Sequence, residues 1–132
     1  MRRRTFIAAG LAALTIPATA WAAGFVDYTP GLIDQALADG KTVFVDYGAK
    51  WCTTCKRQER VINALREADP AYDAAMTFVK VDWDSFRNAD VTVSRNIPRR
   101  STLLVLRGED ELGRIVAGTG ESQIKALMDL GL

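Results

Sequence analysis

A buried strand that runs into a helix through two closely spaced cysteines constrains this chain more than any other feature. Residues 42–47 form a near-continuous apolar and β-branched run, which is typical of a central strand covered on both faces. Residues 48–50 make a turn, and a helical pattern begins at Lys56. Cys52 and Cys55, the only cysteines of the sequence, lie between them. Two thiols separated by two residues at a strand-to-helix junction favour reversible disulfide chemistry.

The rest of the pattern alternates helices and strands. Further strands are predicted at 76–81, 102–106 and 112–117, and amphipathic helices before residue 42, over 56–67 and after Gly118. On the helix over 56–67, the period places Ile62 on the buried face and Arg66 on the exposed face. Alternation in the first half predicts parallel strands, and the short separation of the last two predicts an antiparallel hairpin. The predicted fold class is α/β, with a central mixed sheet of four to five strands and helices on both faces.

The first 22 residues carry the features of a secretory signal peptide. Arg2–Arg4 form a basic region, residues 6–16 are apolar, and Ala20–Ala22 fits the small-x-small cleavage rule. We therefore assign 1–22 to a signal peptide and 23–132 to one domain in the periplasm. An uncleaved membrane anchor is the alternative. Residues 3–7, Arg-Arg-Thr-Phe-Ile, also loosely resemble a twin-arginine signal, but we expect export by the Sec route.

Charge and composition exclude several classes of function. The signal segment holds three of the 17 basic residues and none of the 16 acidic ones. The mature chain is therefore slightly acidic, which argues against a nucleic-acid partner. The sequence has no histidine, the commonest general base and metal ligand. Two thiolates make only half of a tetrahedral site, so we predict no metal and no cofactor, with a metal bridging two copies as the alternative. We expect a soluble monomer.

From about residue 42 to residue 130 the chain resembles thioredoxin. The resemblance rests on three segments, Val45–Lys56, Val79–Asp82 and Thr102–Leu106, and on the helix that ends the chain. It implies a thioredoxin-like fold and a thiol:disulfide oxidoreductase. The form Trp-Cys-x-Thr-Cys-Lys is particularly similar to the carboxy-terminal, periplasm-facing domain of transmembrane thiol:disulfide interchange proteins.

The two cysteines have different predicted roles. A helix amino terminus stabilises a thiolate, so we expect Cys52 to be the exposed nucleophile there. Cys55, one turn later, is expected to be more buried and to act as the resolving thiol. The resemblance places Asp46 behind Cys55 and near Lys80, where it relays a proton from Cys55 through water. The alternatives are a local hydrogen bond for Asp46 and a plain surface lysine for Lys80.

Five further residues are candidates for substrate binding. Trp51 is expected to pack beside the cysteines and form a contact surface, and Thr53 and Thr54 separate the two thiols without adding charge. The family places a cis-proline directly before the third strand, and this chain has Ser101 there. We favour Ser101 as the replacement, with a trans peptide bond, because a cis bond before a non-proline residue costs about 2.5–4 kcal/mol. Pro98 as a displaced cis-proline is the alternative.

These features predict an extracytoplasmic thiol:disulfide oxidoreductase. We expect a dithiol reductase or electron carrier that acts on protein disulfides through Cys52 and Cys55. A reductase outside the cytoplasm needs electrons, which suggests a membrane thiol electron transporter as partner. The alternatives are a disulfide oxidant or isomerase, and a non-catalytic thioredoxin-fold binding module with a structural disulfide.

Overall fold

Residues 24–132, the part of the chain that the computed structural model describes, alternate between strands and helices. The predicted signal peptide, 1–22, lies outside the described residues. Within 24–132, no helix has the length and apolar character needed to cross a membrane. The elements in chain order are β1 (Val26–Asp27), α1 (Leu32–Ala38), β2 (Thr42–Gly48), α2 (Thr53–Ala68), α3 (Ala71–Ala75), β3 (Met76–Asp82), α4 (Trp83–Phe86), α5 (Asp90–Val93), β4 (Thr102–Arg107), β5 (Asp110–Val116) and α6 (Glu121–Asp129).

Strand β2 is the middle strand of a five-stranded sheet with the order β1-β3-β2-β4-β5. Strands β1, β3 and β2 run parallel, whereas β4 is antiparallel to β2 and β5 is antiparallel to β4. The predicted mixed sheet is thereby confirmed. The hairpin is tighter than predicted, since β5 begins at Asp110. Gly108 supplies the positive φ of 59° that the turn between β4 and β5 requires.

The two faces of the sheet pack against different helices. All seven residues of β2 are buried, which explains the absence of polar alternation in its sequence. One face packs with α2 and α6 around Phe44, Ile62, Leu65, Phe78, Leu103 and Ile124. The other face packs with α1 around Ile33, Val43, Val45, Tyr47, Val79 and Leu104. Helices therefore cover both faces, as the sequence predicts.

Arg66 is buried, so its predicted exposed position on α2 is wrong. Its residue surface is 5% exposed. Its guanidinium lies 4.1 Å from the ring centroid of Phe78, and its Nε pairs with a carboxylate oxygen of Asp73 at 2.6 Å. A planar, delocalised cation tolerates burial when an aromatic face and a carboxylate replace water. Helical periodicity alone does not reveal such partners.

Candidate active site

Cys52 ends the turn after β2 and caps α2 through its own sulfur. Its backbone is extended, with φ −85° and ψ 114°, and the backbone N–H of Cys55 donates to its sulfur at 3.2 Å. The backbone N–H of Cys52 donates to the carbonyl of Ala49 at 3.1 Å, which closes the preceding turn. Both cysteines are reduced. The first turn of α2 therefore donates to the sulfur an N–H that has no partner within the helix, as expected for a stabilised thiolate.

The pKa values of the two thiols are shifted in opposite directions. Burial alone raises the pKa of Cys52, but hydrogen bonds from Cys55 and Ser101, together with the Arg100 guanidinium, outweigh burial and lower its pKa to about 7. For Cys55, burial and its hydrogen bond to Cys52 raise the pKa above the ordinary value for a thiol. Near neutral pH Cys52 is therefore partly ionised, whereas Cys55 stays protonated.

Both cysteines are nearly inaccessible, so the predicted exposure of Cys52 is wrong. Cys52 is 3% exposed and Cys55 is 5% exposed. The chain segment before β4 covers them: the guanidinium of Arg100 lies 4.5 Å from the ring centroid of Trp51, and Ser101 contacts both sulfurs. Trp51 itself is 56% exposed. The nucleophile thus lies just beneath a surface that Trp51 and Arg100 form.

Ser101, and not Pro98, lies against the cysteines. Its Oγ is 3.4 Å from the sulfur of Cys52 and 3.0 Å from the sulfur of Cys55. No peptide bond among residues 24–132 is cis, which agrees with the expected trans bond before Ser101. Ser101 has a positive φ of 64°, and its N–H donates to the carbonyl of Tyr47 at 2.7 Å. Pro98 is exposed, and a role for either residue in substrate binding stays a prediction.

Gln58 belongs to the site although the sequence reading did not single it out. It is fully buried on α2, and its Nε2 donates to the carbonyl oxygens of Ser101 at 3.0 Å and of Gly118 at 2.8 Å. A signal was available, because Gln58 follows Cys55 by three residues and precedes Ile62 by four. That spacing puts a polar residue on the buried face of the helix.

Asp46 is a buried carboxyl group on the central strand. It is 1% exposed, and neither of its carboxylate oxygens has a hydrogen-bond partner among the described residues. Burial raises its pKa to about 7, although the nearby charge of Lys80 opposes this shift and that of Glu59 adds to it. Asp46 and Lys80 are register partners on β2 and β3, but the Lys80 amine pairs with Glu59 at 2.9 Å.

An open cleft of about 670 Å³ reaches Cys55 from the side of Lys80. Gly48, Cys55, Glu59 and Lys80 are among its lining residues. A Cβ added at Gly48 would lie 3.3 Å from Oδ1 of Asp46 and 3.7 Å from Cβ of Cys55. The carboxyl group of Asp46 and the side chain of Cys55 therefore flank the same point at Gly48, and Gly48 and Cys55 line the cleft.

The remaining predicted residues form the outer rim. The indole Nε1 of Trp51 donates to a carboxylate oxygen of Asp84 at 2.8 Å, which fixes the ring beside the cysteines. Thr53 is exposed and Thr54 is half-buried at the start of α2. Their contact with a substrate stays a prediction.

Comparisons with known proteins agree with this geometry. The model of the thioredoxin family matches residues 26–130. Thioredoxin-1 of Saccharomyces cerevisiae is 32% identical over 97 residues, which cover 74% of this chain and 87% of the relative. Thioredoxin-2 of the same yeast is 37% identical over 93 residues, covering 70% and 83%.

A solved structure gives the same result. The crystal structure of Trxlp from Edwardsiella tarda EIB202 has a TM-score of 0.65 at 34% identity, and the match covers 80% of this chain and 97% of that one. The family match, the relatives and the Cys52–Cys55 motif at the start of α2 agree with one another. The chain belongs to the thioredoxin family and is a thiol:disulfide oxidoreductase.

Proposed function

We propose that this chain is an extracytoplasmic dithiol reductase or electron carrier that reduces protein disulfides. The observation that carries the proposal is the asymmetry between its two thiols. Cys52 has a lowered pKa and accepts an N–H from the helix start, whereas Cys55 has a raised pKa. A reductant needs one thiolate that attacks and a second thiol that stays protonated until the mixed disulfide has formed.

The proposed reaction has two steps. The Cys52 thiolate attacks one sulfur of a substrate disulfide, and the other substrate sulfur leaves with the bonding electrons and takes a proton from solvent. Cys55 then loses its proton and attacks the sulfur of Cys52, which releases the second substrate thiol. The protein ends as the Cys52–Cys55 disulfide, and two electrons have passed to the substrate.

Asp46 is the proposed acceptor of the Cys55 proton. A carboxyl group with a pKa of about 7 is partly ionised near neutral pH, so it accepts and returns a proton readily. Its carboxylate and Cys55 flank the same point at Gly48, beside a cleft that admits water. We propose that Lys80 tunes this acidity through its charge.

The acidity of Cys52 also favours the direction of electron flow. Thioredoxin has a reactive cysteine with a pKa of about 7, whereas the strong oxidant DsbA has one near 3.5. A very acidic thiol stabilises the reduced protein and makes it an oxidant. Because the pKa of Cys52 is lowered only to about 7, we propose a reductant.

The location and the partner are proposed from the sequence. The basic Arg2–Arg4, the apolar residues 6–16 and Ala20–Ala22 support export to the periplasm, with 1–22 removed. A periplasmic reductase needs an electron supply, which we propose to be a membrane thiol electron transporter. The similarity of the Trp-Cys-x-Thr-Cys-Lys form to the carboxy-terminal domain of interchange proteins supports this, and the protein is proposed to act as a monomer.

The reduction potential tests the proposed direction. We expect a value near −270 mV, typical of thioredoxin, in a dithiol titration followed by mass spectrometry of trapped thiols. A value near −120 mV, typical of a strong oxidant, would instead assign the protein as a disulfide donor.

A trapping variant tests the mechanism and identifies the partners. Cys55→Ser, exported with its native amino terminus, is expected to hold partners on Cys52 as mixed disulfides that dithiothreitol releases. The double variant Cys52→Ser with Cys55→Ser is the matched control and should hold none. If the single variant captures nothing while Cys52 is reduced, the exchange mechanism is wrong. Amino-terminal sequencing of the periplasmic protein checks the cleavage site after Ala22.

A further inference from the structure

Ser101 is the one hydroxyl-bearing residue that contacts both sulfurs of the site within the part of the chain that the structure describes. Its Oγ lies 3.0 Å from the Cys55 sulfur and 3.4 Å from the Cys52 sulfur, with no other hydrogen-bond partner among those residues. A serine hydroxyl holds one hydrogen and two lone pairs, and the hydrogen rotates freely about the C–O bond. Ser101 can therefore donate to either sulfur without any movement of its heavy atoms.

The backbone holds the hydroxyl in this position. The N–H of Ser101 donates to Tyr47, and its carbonyl accepts from the Ala117 N–H at 2.9 Å and from the Gln58 amide. Ser101 has a φ of 64°, a left-handed conformation that is unfavourable for a residue other than glycine. Residues held in such conformations cluster at functional sites.

Proline does not fit this backbone. Its ring fixes φ near −65°, and it has no N–H to donate to Tyr47. The position is thus built for a residue with a backbone N–H and, by its contacts, for a hydroxyl.

We propose that the Ser101 hydroxyl is a catalytic group of the exchange reaction, donating its hydrogen bond to whichever cysteine sulfur carries the negative charge. In the resting protein Ser101 O–H donates to the Cys52 thiolate, and Cys55 keeps its proton. Once Cys52 has formed the mixed disulfide, the hydroxyl turns and donates to the Cys55 thiolate as it attacks. Ser101 keeps its own proton throughout, and the Cys55 proton passes to water or to Asp46.

Burial makes this contact matter. Ser101 is 0% exposed, and both cysteines are nearly inaccessible. A hydrogen bond to an ionised acceptor is about twice as strong as a neutral one, and a low local dielectric strengthens it further. Removing the hydroxyl would take one hydrogen-bond donor away from whichever sulfur is ionised, and bulk water cannot readily replace that donor at a buried sulfur.

Three variants test the proposal. Ser101→Ala removes the hydroxyl, Ser101→Thr keeps it, and Ser101→Gly removes it while suiting the positive φ. Thr92→Val is the matched control, because Thr92 is also buried but its hydroxyl donates to the carbonyl of Phe86. Each variant is first checked for folding by circular dichroism and urea unfolding.

The probe is 5,5′-dithiobis(2-nitrobenzoate), mixed in stopped flow with the reduced full chain. Attack by Cys52 releases the first thionitrobenzoate, and attack by Cys55 releases the second, so each cysteine has its own phase. We expect Ser101→Ala and Ser101→Gly to slow both phases severalfold at pH 7, and to raise the pKa of Cys52 by about one unit. Ser101→Thr should restore both rates, and Thr92→Val should match wild type.

The outcomes separate this inference from the proposed function on which it rests. If wild type releases only one thionitrobenzoate per protein, Cys55 is not a resolving thiol and the proposed exchange reaction fails. If wild type shows both phases and folded Ser101→Ala keeps both rates, the catalytic role of Ser101 is overturned. If Ser101→Ala is slow but Ser101→Gly is as fast as wild type, the backbone conformation and not the hydroxyl is responsible, which also overturns the proposal.

Discussion

The side-chain amide of Gln58 donates to the carbonyl oxygen of Ser101 at 3.0 Å, linking the buried face of α2 to the loop that covers the cysteines. The same Nε2 donates to the carbonyl oxygen of Gly118 at 2.8 Å. One amide therefore binds both the segment before β4 and the segment after β5. The residues it joins are far apart in sequence. The position of the Ser101 hydroxyl over the sulfurs therefore depends on a residue of the cysteine helix itself.

Gln58→Leu should loosen this link. Two buried carbonyls lose a donor, and we expect the unfolding free energy in urea to fall by about 1–3 kcal/mol. The pKa of Cys52, measured from the pH dependence of iodoacetamide labelling, should also rise as Ser101 moves away. Arg57→Leu, at an exposed position of the same helix, is the control and should change neither quantity. A Gln58→Leu protein with an unchanged Cys52 pKa would contradict the positioning role.

Asp46→Asn should make stability less dependent on pH. Burial raises the Asp46 pKa from its usual 3.8 to about 7, so its contribution to stability is fully present below about pH 3.8 and is lost as the pH rises through 7. At 1.36 kcal/mol per unit, the full loss is about 4 kcal/mol. We expect the stability of the variant relative to wild type to rise between about pH 4 and pH 7 in urea unfolding. An equal pH dependence in both proteins would show that Asp46 titrates normally.

Glu59 and Lys80 should shift the acidity of Asp46 in opposite directions. The Lys80 charge lowers the pKa of Asp46, and the Glu59 charge raises it. Lys80→Gln should therefore raise this pKa above about 7, and Glu59→Gln should lower it. The side-chain carboxyl carbon of Asp46, followed by NMR against pH, reports both changes. Each variant serves as the control for the other, and shifts of the same sign would rule out a Coulombic origin.

Arg100→Ala should change the acidity and the accessibility of Cys52 in opposite ways. The variant loses the guanidinium that lowers the pKa of Cys52, so this pKa rises, and it removes the side chain that lies over Trp51. We expect a higher midpoint and a higher plateau rate of Cys52 labelling by iodoacetamide at alkaline pH. Arg87→Ala, an exposed arginine elsewhere, should leave both unchanged. A plateau equal to that of wild type would show that Arg100 does not limit access.

The sequence predicts the central strand, the helix that follows it and the mixed sheet because those features depend on local patterns. The near-continuous apolar and β-branched run at 42–47 is typical of a buried strand, and the position of Cys52 just before a helical period places it at the helix start. Parallel and antiparallel pairing followed from the lengths of the connections. Handedness and connection rules leave few other arrangements.

The predictions that were wrong, and the role of Gln58 that was missed, depend on contacts between residues that are distant in sequence. The burial of Cys52 comes from Arg100 and Ser101, which lie nearly fifty residues later in the chain. Arg66 is buried because Phe78 and Asp73 provide partners that periodicity does not reveal. The role of Gln58 likewise depends on where the Ser101 loop returns to the helix. The role of a polar residue on the buried face of a helix can be predicted only when its partners are known.

The Cys52 sulfur that caps α2 ties the rigidity of the first helical turn to the redox state of the protein. Where a side chain caps a helix, the preferred acceptor is the oxygen of a serine, threonine, asparagine or aspartate, which does not react. Here it is the reacting sulfur of Cys52, whose negative charge disappears each time a disulfide forms. Every turnover therefore weakens and then restores the anchoring of the first helical turn. The first turn of α2, with Thr53 and Thr54, is therefore more rigid in the reduced protein than in the oxidised protein, and a bound partner contacts this difference directly.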